Sequence, residues 1–113
     1  MLDILDDLPL YAAVDAGERT FVLIHASLGN FREERPLRSY GADEVLLTPH
    51  DYGRRYFADP SIYIVTGHVR TYSLGGKWRI WQGNGNIALD CGADVPGGRL
   101  ACLCLNTLEA FYE

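Results

Sequence analysis

Short apolar runs broken by turn residues, with no long amphipathic stripe, organise this chain. Residues 20–24 (TFVLI) and 62–66 (IYIVT) are dense in β-branched and aromatic side chains, the signature of buried strands. Each run delivers a histidine just beyond it: His25 in TFVLIHASL, and His68 in IYIVTGHVRT, where Gly67 lets the backbone bend. Further on, residues 77–82 (KWRIWQ) and 86–90 (NIALD) flank Gly83-Asn84-Gly85, a three-residue connection suited to an antiparallel hairpin. Residues 100–105 and 109–112 flank Asn106-Thr107-Leu108 and predict a second hairpin.

Helical signals are fewer and shorter. MLDILDDL places Leu2, Leu5 and Leu8 on one stripe opposite aspartates, and Pro9 ends that helix. Asp15-Ala16-Gly17-Glu18 is a turn leading into the first strand. Residues 29–48 are polar and predict a long loop with short helical pieces; such a connection inside a compact domain is usually functional or covers a site. DYGRRYFA, residues 51–58, predicts a helical turn stopped at Asp59-Pro60. The expected class is α/β (α+β), with a mixed sheet and antiparallel hairpins towards the C-terminus. A single domain spans 1–113, without internal repeats.

Composition narrows the function classes. A chain of 113 residues has length for one domain only. Apolar runs of about five residues predict no membrane span, and the acidic start lacks the basic region of an export signal. Ten basic against fifteen acidic residues give a net charge of −5, which opposes a nucleic-acid partner. Cys91, Cys102 and Cys104 are an odd number with no C-x-x-C pair, as expected of thiols in a reducing cytoplasm. Cys102 and Cys104, two apart, point to one face of a strand and read as small buried hydrophobes.

The chemistry-bearing candidates gather at strand ends. Open α/β sheets place ligand sites outside the carboxyl ends of their strands. If residues 20–24 and 62–66 are neighbours in one sheet, the imidazoles of His25 and His68 converge, and imidazole ligates zinc, iron and manganese. The competing reading is that each histidine caps its strand by hydrogen bonding. Two imidazoles do not complete a metal site. Asp90, at the end of NIALD, is either a further ligand or a turn former, while Asp43, Glu44 and Asp51 have no supporting spacing. His50, in TPHDYG, reads as ordinary surface. There is no G-x-S-x-G elbow and no G-x-x-x-x-G-K-[ST] loop, and the glycine-rich residues 92–98 lead into a strand and so form a turn. Among Arg54, Arg55, Arg70 and Arg99, Arg70 is the best phosphate-binding candidate because it follows the His68 turn.

Taken in order, FVLIHASL, then IVTGHVRT, then IALDCGA followed by GGRLACLCL resembles the C-terminal half of the calcineurin-like metallophosphoesterases. The likeness is to their bacterial serine/threonine protein phosphatases, and it runs over nearly the whole chain. The resemblance implies half of an αββα sandwich. It also implies a dinuclear centre of manganese, iron or zinc that activates water against a phosphoester, with His25 and His68 as metal ligands. The family's D-x-H, G-D-x-x-D-R-G and G-N-H-[ED] motifs are absent here, and its G-H-T-P-T has become Gly67-His68-Val69-Arg70-Thr71. The implied substrate is a phosphorylated protein or small phosphoester. The chain is therefore expected to have little or no activity alone. Half a sandwich would leave a sheet face and edges uncovered, predicting a homo-oligomer or a missing N-terminal half as partner. The alternative is a non-catalytic interaction module that keeps the fold.

Overall fold

The computed structural model describes residues 11–92 and 96–113, with the backbone alone at His68 and Val69. The helix expected over residues 1–8 lies outside the described residues. Strand β1 (Tyr11–Ala16) turns at Gly17 into β2 (Arg19–Ile24). A long connection carries a 3-10 turn (Leu37–Ser39) and the short helix α1 (Ala42–Leu46). Strand β3 (Ile62–Arg70) runs into helix α2 (Thr71–Gly75), and β4 (Trp81–Gly83) with β5 (Asn86–Asp90) follows. Strands β6 (Ala101–Leu103) and β7 (Ala110–Tyr112) close the chain.

The five-stranded sheet has the order β1-β2-β3-β5-β4. Its centre is parallel, β2 with β3 and β3 with β5, and its two flanks are antiparallel. Alternation along the parallel strands sends side chains to two cores. Val22, Ile24 and Ile64 pack with Leu28, Tyr40, Val45 and Tyr56 of the long connection. Phe21, Val65 and Ile87 face the other way, against Leu103, Leu105 and Leu108 of the β6–β7 hairpin. Phe21 and Tyr63, opposite each other in register, stack with ring centroids 5.5 Å apart. The molecule is thus three layers, with the buried strands read from residues 20–24 and 62–66 in the middle. The sheet face expected to lie bare carries the hairpin.

Several local expectations need correction. Residues 51–58 form irregular turns, not a helical turn. The Asp51 carboxylate accepts the Gly53 N–H at 2.9 Å, an Asx-type bond that competes with helix formation, and Tyr52 and Tyr56 turn inward. The first hairpin loop has two residues, not three, because Gly83 pairs with Asn86. Asn84 and Gly85, at φ 54° and 75°, make the tight left-handed turn. Residues 77–80 do not extend β4, since the Ile80 N–H donates to the Tyr112 hydroxyl at 3.0 Å. All three cysteines are free thiols, but Cys102 is exposed where burial was expected, being on the hairpin's outer side. Among the described residues no helix is long and apolar enough to cross a membrane.

Candidate functional site

Parallel pairing of β2 with β3 sets Ile24 opposite Thr66, so the two strands run out together. The Gly67 N–H donates to the His25 carbonyl at 3.2 Å, placing the backbone of His25 beside the Gly67-His68 step. The ladder from β3 to β5 is irregular between Thr66 and Arg70, a shift that falls on Gly67, His68 and Val69. Irregular ladders of this kind re-aim side chains and often border functional sites. Beyond the irregularity Arg70 is in register with Asp90 of β5. Backbone topology therefore gathers His25, His68, Arg70 and Asp90 at the carboxyl ends of three adjacent parallel strands.

A cleft of about 260 Å³ opens there, lined by Gly67, Asp90, Cys91 and Arg99 among others. Both His25 and Arg70 are exposed. Asp90 is a turn former, accepting the Gly92 N–H at 3.0 Å. Glu44 takes no part, as it grips Arg35 at 2.8 Å in the long connection. Among the described residues no three His, Cys, Asp or Glu side chains stand close enough to hold a metal ion. The described donors thus do not form a complete metal centre, and what the strand ends bring together is the backbone of His25 and of the Gly67-His68 step.

The long connection packed on the sheet face contains what sequence reading missed. His50, expected at the surface, is buried. Its Nδ1 lies 2.7 Å from the Ser27 hydroxyl and its Nε2 lies 2.8 Å from Asn86 Oδ1. Asn86 Nδ2 donates to the Arg54 carbonyl at 2.8 Å, so Oδ1 is the acceptor facing the ring. Nε2 then carries the proton, and Nδ1 accepts from Ser27. The ring stacks on Tyr56 at 4.6 Å and meets the edge of Tyr52, whose hydroxyl shares a 2.6 Å hydrogen bond with Thr66. Ser27 is almost fully buried, so this serine–histidine–asparagine chain fastens the segment after His25 to β5 and presents no nucleophile. Burial lowers the His50 pKa, opposed in part by the hydrogen bond to Asn86. Against known family models, curated proteins and solved structures, the chain matches none.

Proposed function

We propose that this chain is the histidine-bearing half of a metal-dependent phosphoesterase, built on half of the family's αββα sandwich. It has little or no activity until another polypeptide segment supplies the remaining ligands. In this reading His25 and His68 are metal ligands for a dinuclear manganese, iron or zinc centre, and Arg70 contacts the phosphate of a phosphorylated protein or small phosphoester. The compartment is a reducing cytoplasm, consistent with three free thiols. The observation that carries the reading is the parallel β2–β3 pairing that runs His25 and the Gly67-His68 step out side by side. Titration of zinc or manganese by calorimetry tests it. Weak binding that disappears in the His25→Ala/His68→Ala double variant is expected, with no turnover of 4-nitrophenyl phosphate by the chain alone. An isotherm unchanged by the double substitution overturns the assignment.

A second reading, a non-catalytic association module, is favoured by the outer side of the hairpin. Leu100, Cys102 and Phe111 alternate onto that side, and Leu100 and Phe111 are 57% and 56% exposed. A second copy buries this strip most simply. Light scattering should then report a dimer that Phe111→Glu dissociates, whereas a monomer at high concentration removes this reading.

A further inference from the structure

We infer that the cleft lined by Tyr72, Lys77, Trp78, Arg79, Gly97 and Arg99 binds a nucleoside phosphate. Its three cations hold the phosphate, and its aromatic pair faces the base. The cleft has a volume of about 350 Å³, within the range of small-molecule sites. This site needs neither His25 nor His68 and stands independently of the metal reading.

Charge carries the first part of the argument. The whole chain has ten basic residues and a net charge of −5, yet three cations and no described carboxylate line this one cleft. The ion pairs Arg32–Glu34 and Arg35–Glu44 lie elsewhere, and no described acid lines the cleft beside Lys77, Arg79 and Arg99. Like charges gathered in one cleft repel one another, and a bound polyanion lowers that cost. Guanidinium forks match phosphate oxygens in pairs, while an ammonium serves as a point charge.

The aromatic wall supplies the second part. Tyr72 and Trp78 lie 5.1 Å apart between centroids at 35°. Tyr72 is 55% exposed, far more than a ring kept for packing alone. Trp78 is seated on the backbone of Gly92, whose φ is +75° and where a Cβ would come within 2.5 Å of the indole. Arg99 is anchored by its N–H to the Cys91 carbonyl at 2.8 Å, directly beyond β5. The Trp78 ring and the Arg99 backbone are both held at the end of a central-sheet strand, and the Arg99 guanidinium lies over the Tyr112 ring, 5.2 Å from its centroid. A cleft of this size admits one nucleotide, and the net negative charge disfavours an extended strand.

Fluorescence of a Trp81→Phe variant, in which Trp78 is the remaining tryptophan, tests the site by titration with adenosine monophosphate. Calorimetry on the unaltered chain guards against a folding defect in that variant. Saturable quenching is expected, weakened about threefold by Lys77→Ala or Arg79→Ala and strongly reduced by salt. Ribose 5-phosphate and inorganic phosphate should bind more weakly than the nucleotide. Absence of saturable binding by both methods overturns the proposal, as does an affinity indifferent to Arg79→Ala. Equal binding of ribose 5-phosphate, or tighter binding of phosphotyrosine, overturns the nucleoside assignment.

Discussion

At the scale of single residues, His50 ties the long connection to the sheet, bonding Ser27 after β2 and Asn86 at the start of β5. His50→Ala leaves the Ser27 hydroxyl and the Asn86 carbonyl oxygen without their partner in a buried site. The expected loss is about 3 kcal/mol, read as a lower urea midpoint, and a change below about 0.5 kcal/mol would show the network to be dispensable. The ring also makes stability pH-dependent. Burial depresses its folded-state pKa below the ordinary 6.5, while the Asn86 bond and Asp51 oppose the shift and Arg54 adds to it. The unfolded chain therefore takes up the proton first, and stability is full above about 6.5 and declines as pH falls below it. His50→Gln should flatten that decline. Glu44 acts in a lower window. Hydrogen bonds from Arg35, the Gly41 N–H and Asn30 hold its carboxyl at about 2, so its contribution is complete above 4.5 and lost as pH falls towards about 2. An unchanged acid limb in Glu44→Gln would contradict this. His50 was illegible in the sequence for a physical reason: its partners stand 23 and 36 residues away, and no periodicity links a loop histidine to them.

At the scale of elements, what could be read was whatever periodicity or turn chemistry writes locally. The apolar runs at residues 20–24 and 62–66 are strands because β-branched density needs no distant partner to be recognised. β1 escaped notice because Tyr-Ala-Ala-Val-Asp-Ala alternates weakly, and its strand character comes from pairing with β2 through the Gly17 turn. Residues 51–58 misled because local helix signals lost to the Asp51–Gly53 bond and to burial of two tyrosines. The β4–β5 turn offers a sharp test. Gly85 sits at φ 75°, and an added Cβ would lie 3.0 Å from the Arg55 guanidinium. Gly85→Val should cost about 1–2 kcal/mol and lower the melting midpoint. No shift in the midpoint would mean that the hairpin register slips freely.

At the scale of the whole molecule, the two cores lie on opposite faces of the same strands. Val22 and Phe21 are neighbours on β2, as are Ile64 and Val65 on β3, yet each pair divides between the cores. Neither layer can therefore lose its support without stripping one face of strands that the other requires. Strand order, which makes this so, was not written in the sequence; adjacent parallel strands became legible only as a condition on where the two histidines could meet. Cooperative unfolding follows from the shared strands. Val45 is fully buried in the connection layer, and its carbonyl accepts the Ala26 N–H at 3.0 Å. Val45→Ala keeps that bond and removes two methyl groups, for an expected loss of about 1–3 kcal/mol. Because the cores share β2 and β3, tryptophan fluorescence and far-ultraviolet circular dichroism should shift together and keep one common midpoint. Two separated midpoints in the variant would show that the connection layer detaches first, leaving the sheet and hairpin as the independent folding unit.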